Sequence, residues 1–423
     1  MDPKPALVIH NTQPYTRVVE SRQLSTMDLS TGAVPRAASA SGGVDWFALI
    51  VQLPGGLALF LFGMKMLGVH IKLAAGTMLQ ELMLKLAVNK LLAFVAGLAI
   101  TALTSSLSLV SVLLVQFVAA DLVSFEASLP ILFGAGVGST FISVLQVLSV
   151  TKYGMLLISI GYFAKLCVRS SPPPKVEPTQ PSTPQRFESA GATSGAEGAG
   201  GAGTPRGGLG GGNVSAESQR AHIFKTVFAL GVIFIGMETM SGSFKWARSN
   251  AYFLAMLESL ENVPAAIIAG TAFTLVIQSS GATMGVILSL AKQGVVSAHA
   301  GAALALGANI GTCGSAFLAA AGGESQDALH VAIALLIGRV LGVLVVACTF
   351  PLFEIVVGAV AFVDPDPAVA TPAQVGRYIA TAHTLFNVLL AAVIIPISGR
   401  FAALVRRVAG RLLGRGAGNV LPA

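Results

Sequence analysis

Charged side chains are scarce in this sequence of 423 residues. Asp, Glu, Lys and Arg together make up 11% of the chain, hydrophobic residues make up 54%, and the mean hydropathy is +0.77. A soluble globular domain carries about 25% charged residues, so the composition excludes an ordinary soluble domain. Several apolar runs approach the roughly 20 residues that cross a bilayer as a helix. The sequence therefore predicts an all-α polytopic membrane protein.

Cysteine is almost as scarce, with Cys167, Cys313 and Cys348 the three in the chain. They form no CxxC pair and have no neighbouring histidine, so we expect neither a metal site nor a disulfide framework. The glycine run at 207–212 lacks the GK[ST] ending of a phosphate-binding loop, which argues against ATP binding. No HExxH pattern or Ser/His/Asp arrangement suggests an enzyme. We predict a non-enzymatic protein without a cofactor.

Acidic residues are absent after Ser398, where five arginines follow an apolar run: Arg400, Arg406, Arg407, Arg411 and Arg415. Arginines directly after a membrane helix are the positive-inside signature, so we expect a cytoplasmic C-terminus in a multi-pass protein of the cell membrane. The same arginines can contact anionic lipid head groups. They account for much of the net charge of +7, which is therefore no sign of nucleic-acid binding.

Polar segments divide the chain into five parts. Residues 1–43 are rich in Ser, Thr, Pro and Arg and predict a disordered cytoplasmic tail. Residues 169–221 contain a Pro-rich and then a Gly-rich stretch that cannot bury enough apolar surface to fold, and predict a flexible linker. The membrane parts are then 44–168 and 222–399, and residues 400–423 form a basic C-terminal tail.

The two membrane parts resemble each other. Three motifs occur in the same order at nearly constant spacing: Leu57–Lys65 with Leu230–Glu238, Thr101–Ser106 with Leu275–Ser280, and Gly134–Thr140 with Gly307–Cys313. Such internal duplication is typical of secondary transporters. We predict membrane helices near Trp46–Val69, Leu129–Leu148, Tyr153–Val168, Ile223–Phe244, Ala328–Phe350 and Tyr378–Ile397. Between them, Leu91–Ala120 and Ala265–Val296 have polar centres that predict re-entrant or broken helices.

The polar centre of the second broken region reads IQSSGAT, residues Ile277–Thr283. In hydrocarbon each unsatisfied polar group costs several kcal/mol, so these side chains either bond to one another or face a hydrated cavity. Carbonyl, amide and hydroxyl oxygens suit a small cation such as Na⁺, whereas amides at a helix start suit an anion. The alternative is that Ser and Thr mediate close helix packing.

The order GM, QSS-x-A and GANIGT, followed by His383 and the pair Phe386-Asn387, resembles the type II sodium/phosphate cotransporter family. The similarity covers roughly Phe47–Val168 and Ile223–Ile397. It implies two inverted repeats with re-entrant segments and Na⁺-driven uptake of inorganic phosphate or a related small oxyanion. Carried onto this sequence, it implies substrate and ion sites at Gln278, Ser279, Ser280, Thr283, Asn309 and Thr312, with first-half counterparts Ser105, Ser106, Ser108, Ser139 and Thr140. We assign sodium to Gln278, Ser279, Ser280 and Asn309.

The first half departs from the family pattern. Thr104 stands where the family has Gln, Gly136 stands where it has Asn, and the helix starting near Ala328 carries Arg339 instead of a second His and Phe-Asn. A second hypothesis follows: a degenerate member that is an uncoupled transporter of another small anion or a regulatory membrane protein.

Several side chains have two interpretations from the sequence alone. Arg339 either holds an anion or has a structural role, and His383 either relays protons or makes a fixed hydrogen bond. Asn387 is a further accessory candidate. Lys65 and Glu238, at matching places in the two halves, either form a salt bridge or mark the membrane border.

Overall fold

The computed structural model describes residues 43–75, 89–148, 152–167, 216–321, 325–363 and 370–412, and every regular element within them is helical. This confirms the predicted fold class. The predicted N-terminal tail and most of the predicted linker lie outside the described residues. One helix begins at Ala216, inside the predicted linker, and another continues to Leu412, inside the predicted basic C-terminal tail.

The described residues of the first half form six α-helices. After a π-helical turn at Ala48–Gln52 they are α1 Leu53–Ala75, α2 Lys90–Thr104, α3 Leu107–Ala119, α4 Phe125–Gly138, α5 Phe141–Val147 and α6 Gly154–Cys167.

Ten more α-helices lie in the part of the second half that the structure describes. They are α7 Ala216–Ser243, α8 Ala251–Glu258, α9 Val263–Ile277, α10 Ser280–Lys292, α11 Ala298–Gly311, α12 Gly314–Ala321, α13 Gln326–Cys348, α14 Phe350–Ala361, α15 Pro372–Ile394 and α16 Ser398–Leu412. Short 3₁₀ turns at Lys245–Ser249 and Ser259–Glu261 flank α8.

Among the described residues, six helical stretches are long and apolar enough to cross a membrane: Ala48–Ile71, Phe125–Val147, Arg220–Ser249, Ala298–Ala321, Gln326–Cys348 and Pro372–Ile394. A seventh candidate combines Ala251–Glu261 with Val263–Ile277, bent by 108°. Five of the predicted spans are thereby found, while the predicted span Tyr153–Val168 corresponds to the shorter α6. The span Ala298–Ala321 was not predicted, because glycines and Asn309 interrupt its apolar character. The protein is a multi-span membrane protein.

The internal repeat is visible helix by helix. The start residues Lys90, Leu107 and Phe125 recur 173 positions later as Val263, Ser280 and Ala298. The paired helices have the same lengths of 15, 13 and 14 residues. Their capping residues repeat as well, with the side chains of Asn89 and Asn262, Ser106 and Ser279, and Ser124 and Ser297 each accepting a backbone N–H.

This spacing corrects the alignment of the QSS motif by one residue. Gln278 ends α9 in the left-handed conformation with φ 57°, and the residue that ends α2 in the same way is Ser105, with φ 53°. Thr104 is instead the last helical residue of α2 and corresponds to Ile277. The first-half position that lacks the Gln side chain is therefore Ser105 and not Thr104.

Glycines let the two helices of each repeat cross closely. A Cβ atom on Gly97 of α2 would lie 2.0 Å from the carbonyl oxygen of Ile131 in α4. At the equivalent position in α9, a Cβ on Gly270 would lie 2.2 Å from the carbonyl oxygen of Leu304 in α11. Small residues at such crossings are the usual way in which membrane helices gain contact without a hydrophobic driving force.

The halves interlock through reciprocal contacts. Helix α5 of the first half packs on α10 of the second, the equivalent α12 packs on α3, and α1 packs along its counterpart α7. Helix α15 has contacts with α4 and α5 as well as with α10 and α11, so it lies between the halves. These contacts bring the two chain breaks, Ser105–Ser106 and Gln278–Ser279, to a common region.

Candidate functional site

A cavity of about 400 Å³ lies where the two breaks meet. Both breaks contribute, together with the side of α1 that faces them. Eight polar residues from the predicted set line the cavity: Thr104, Ser105, Ser106, Ser108, Gln278, Ser279, Ser280 and Thr312. The structure thus brings most of the predicted site residues of both halves together.

Each break is only two residues long. The N–H of Ser105 bonds to the carbonyl of Thr101 and that of Gln278 to the carbonyl of Thr274, both at 2.7 Å, which closes the last turns of α2 and α9. The left-handed conformation of a non-glycine residue costs roughly 1–2 kcal/mol. That two non-glycine residues hold it at equivalent positions beside one cavity indicates a functional constraint on the backbone.

The helices that begin at these breaks are capped alike. Ser106 Oγ accepts the N–H of Leu109, and Ser279 Oγ accepts the N–H of Ala282, each at 3.2 Å. Within the described chain, the N–H groups of Ser280 and Gly281 make no hydrogen bond, and the same holds for the corresponding N–H groups of α3. Two positive helix ends with free donors therefore meet at the cavity.

Gln278 also contributes an oxygen with no partner. Its Nε2 donates to the carbonyl of Leu275 at 2.5 Å, while its Oε1 is buried and makes no hydrogen bond among the described residues. A buried carbonyl-type oxygen without a donor costs about 1–3 kcal/mol unless something binds it. This oxygen is suited to a cation.

Three predicted site residues lie outside the cavity lining and already have hydrogen-bond partners. Thr283 Oγ1 pairs with Thr274 Oγ1 at 2.8 Å, Ser139 Oγ donates to the carbonyl of Gly136 at 2.7 Å, and Thr140 Oγ1 donates to that of Val137 at 2.8 Å. For these side chains the structure favours the helix-packing alternative.

Asn309 is also outside the cavity lining, in contact with Arg339. Its Oδ1 accepts from Arg339 Nη1 at 2.5 Å and from Asn387 Nδ2 at 3.0 Å. A guanidinium thus already donates to this oxygen, and the assignment of sodium to Asn309 stays a prediction. His383 Nδ1 lies 3.3 Å from Ser143 Oγ, in keeping with a fixed hydrogen bond.

Sequence reasoning missed two contributors. Lys65 of α1 lines the cavity, and its repeat counterpart Glu238 forms an ion pair with Lys292 instead of with Lys65. Gln146 of α5 donates through Nε2 to the carbonyl of Gly281 at 3.3 Å, at the start of α10. Nothing in the local sequence around Gln146 signals this role, since the contact depends on the packing between halves.

A second cavity of about 230 Å³ lies toward the other end of α10. Gln146, Lys152, Leu288, Ser289 and Lys292 are among its lining residues. Gly281 lines the first cavity and Leu288 the second, so about 10 Å of helix separates them. Gln146, bonded to Gly281, lies between the two.

Comparisons with known proteins agree with this picture. The uncharacterized protein YqeW of Bacillus subtilis (strain 168) is 24% identical over 362 residues, which are 84% of this chain and 97% of that protein. The "Putative inorganic phosphate export protein YjbB" of Escherichia coli (strain K12) is 30% identical over 112 residues, 26% of this chain and 21% of that protein. No solved structure matches. Residues 59–177 and 232–358, more than half of the chain, match the Na⁺/Pi-cotransporter family. The chain therefore belongs to that family of phosphate transporters.

Proposed function

We propose that this protein imports inorganic phosphate together with sodium, by alternating access. One observation carries the proposal: two equivalent chain breaks, one from each half, place four helix ends at a single cavity. Two of these ends are N-terminal and two are C-terminal, so the cavity offers donors for an anion beside acceptors for a cation.

Phosphate is assigned to the N-terminal ends. The free N–H groups of Ser280 and Gly281 and their counterparts in α3 are fixed donors, and a helix N-terminus is a ready anion site. The hydroxyl of Ser280, at the cavity and without a hydrogen-bond partner among the described residues, adds a further donor. The ammonium group of Lys65 supplies the full positive charge that a divalent oxyanion favours.

Sodium is assigned to the C-terminal ends of α2 and α9. The carbonyl groups of the final residues, Thr104 of α2 and Ile277 of α9, have no backbone donor among the described residues, and Gln278 Oε1 is a neutral oxygen in need of a partner. Such oxygens replace the hydration shell of a small hard cation. Each ion then raises the affinity for the other, which is the thermodynamic basis of coupling.

For alternating access, the second cavity is assigned to the opposite side of the membrane. The first turn of α10 and the Gln146–Gly281 hydrogen bond would form the barrier between the two compartments. We further propose that the two halves are inverted in the cell membrane and that α16, which carries Arg400, Arg407 and Arg411, lies at the cytoplasmic surface.

Transport in proteoliposomes tests the proposal. Radiolabelled phosphate is supplied outside, with sodium outside only, sodium on both sides, or choline in place of sodium. We expect an inward sodium gradient to concentrate phosphate inside, and the efflux of preloaded phosphate to slow under the same gradient. Uptake that ignores sodium would contradict coupling, and absence of phosphate flux in every condition would contradict the proposed function.

The alternative of an uncoupled carrier is favoured by one observation, the replacement of Gln by Ser105 at the first break. The same proteoliposomes separate the two. An uncoupled carrier exchanges labelled for unlabelled anion at equal rates with and without sodium, and sulfate or arsenate in excess reveals another preferred anion. Export, the activity in the name of the Escherichia coli relative, would instead be seen as net efflux of phosphate against the inward sodium gradient.

A further inference from the structure

Arg339 is a charged residue at the centre of the protein. It lies midway along α13, with 1% of its side chain exposed. Its Nη1 donates to Asn309 Oδ1 of α11 and to Asn387 Oδ1 of α15, each at 2.5 Å. Asn387 Nδ2 donates in turn to Asn309 Oδ1 at 3.0 Å. The guanidinium is thus held by amide oxygens from two helices.

No acidic group balances this charge within the described residues, since no carboxylate oxygen there lies within 4.0 Å of the guanidinium. The Nε atom of Arg339 is buried and lacks a hydrogen-bond partner in the same set. A buried charge without a counter-ion costs several kcal/mol. A mobile anion close by would offset part of that cost.

Comparison of the two repeats shows which first-half position leaves room for the guanidinium. Gly136 of α4 is the repeat counterpart of Asn309, 173 positions earlier. A Cβ atom on Gly136 would lie 2.6 Å from Arg339 Nη2 and 3.1 Å from Asn387 Oδ1. The volume that a first-half asparagine would need is therefore filled by a cation. Glycine at 136 and arginine at 339 form a matched pair.

This cluster lies close to a residue that lines the first cavity. Asn309 precedes Thr312, a lining residue, by three positions, or about 4.5 Å along α11. Like charges repel and opposite charges attract, and both effects are stronger inside a protein than in water. A sodium ion at Asn309 would face this repulsion, whereas a phosphate above Thr312 would be attracted.

We propose that the Arg339 guanidinium is a fixed counter-cation for the transported phosphate and takes the place of one coupling sodium ion. The inference rests on the proposed function and specifies its coupling. A carrier with a built-in positive charge needs one sodium fewer to neutralise the same anion. Each cycle then carries one positive charge fewer across the membrane, and the membrane potential contributes correspondingly less driving force.

To test this, the guanidinium of Arg339 is removed and an asparagine is placed at position 136. The double variant Gly136→Asn/Arg339→Leu removes the guanidinium and restores the first-half asparagine, while Arg339→Gln is a smaller neutral change. Arg339→Lys keeps the charge and serves as the matched control. All are reconstituted, and phosphate uptake is recorded against sodium concentration and against imposed membrane potential. Detergent-purified samples are checked for a monodisperse elution peak.

For the neutral variants we expect the sodium Hill coefficient and the charge moved per phosphate each to rise by about one relative to the unmodified protein. Arg339→Lys should keep the unmodified values at a lower rate. Equal values in neutral variants and unmodified protein would overturn the inference while leaving the proposed function intact. Loss of the folded peak in both neutral variants would also overturn it, since Arg339 would then be structural. Absence of phosphate flux in the unmodified protein would instead overturn the proposed function.

Discussion

The Oγ atom of Ser108 donates a hydrogen bond of 3.3 Å to the backbone carbonyl of Gln278. Ser108 lies in the first turn of α3 and Gln278 at the end of α9, so the bond joins the break of one half to the break of the other. Neither break can change its backbone conformation without disturbing this contact. If the two halves move against each other during transport, this hydrogen bond either breaks or keeps the two breaks together.

The amide of Gln278 is the first feature to test. Gln278→Ala removes the unpartnered Oε1 from the cavity. We expect phosphate uptake to fall at least about tenfold, since a polar contact with a charged partner is worth roughly 1.5–3 kcal/mol. Gln278→Gly should lose uptake equally while relieving the strain at φ 57°, because glycine adopts left-handed backbone without cost. Uptake of labelled phosphate and thermal unfolding in detergent are measured for both.

Gln116→Ala is the matched control for these variants. Gln116 is an exposed glutamine on α3 whose side chain has no hydrogen-bond partner among the described residues. Its removal should leave uptake and stability unchanged. Normal uptake in Gln278→Gly would show that the backbone break, without the amide, is enough for ion binding.

Water in the first cavity is the second feature to test. A volume of about 400 Å³ holds on the order of a dozen water molecules. With Cys167 and Cys348 replaced by serine, Ser280→Cys at the cavity should react with a hydrophilic thiosulfonate at least about tenfold faster than Ser111→Cys, which is buried in α3. Phosphate with sodium should slow the reaction. Equal rates at the two positions, or no protection by the ions, would argue against a hydrated binding cavity.

The sequence predicted the broken helices because polar residues inside apolar runs have few physical solutions. Gln278 and Ser279 stand in a long apolar stretch, and only a chain break with a cavity or strong local bonding makes them tolerable. The break occurs there, and Ser279 caps the next helix as serine commonly does. The predicted alignment of the two halves was off by one residue here, because the sequences TSS and QSS resemble each other. Helix length and capping instead align Ser105 with Gln278.

The contacts that the sequence does not reveal have a common cause in long-range packing. Asn309 has the right chemistry for sodium, but the identity of its partner depends on α13 bringing Arg339 to it. Likewise, Lys65 reads as a residue at the membrane border until α1 is placed beside the breaks. Contacts between elements that are distant in sequence leave no periodic signal in either segment, so local patterns cannot identify them.

The glycine crossings make a prediction about stability. Gly270→Ala places a Cβ atom 2.2 Å from the carbonyl oxygen of Leu304, so α9 and α11 have to separate. Overpacking of this kind costs about 1–3 kcal/mol or more, and we expect the unfolding temperature in detergent to fall by several degrees. Gly97→Ala should cause a similar loss at the equivalent crossing. Gly242→Ala, where no atom lies within 4 Å of the added Cβ, should be neutral or slightly stabilising. Equal unfolding temperatures for Gly270→Ala and Gly242→Ala would contradict the close crossing.

Lys65 provides a test of how the anion is recruited. Lys65→Gln removes a positive charge from the cavity lining while keeping a side chain of comparable reach. A unit charge about 4 Å from the bound anion is worth about 1 kcal/mol in water, so KM for phosphate should rise about fivefold with kcat little changed. The effect of added choline chloride on uptake should also weaken, since screening acts on this charge. Lys90→Gln, at an exposed lysine that begins α2 outside the cavity lining, removes the same charge and should leave KM unchanged. Both variants lower the net charge equally. A rise in KM confined to Lys65→Gln therefore identifies a local contact with the anion. An equal rise in both variants would mean that the effect comes from the overall electrostatic field of the protein.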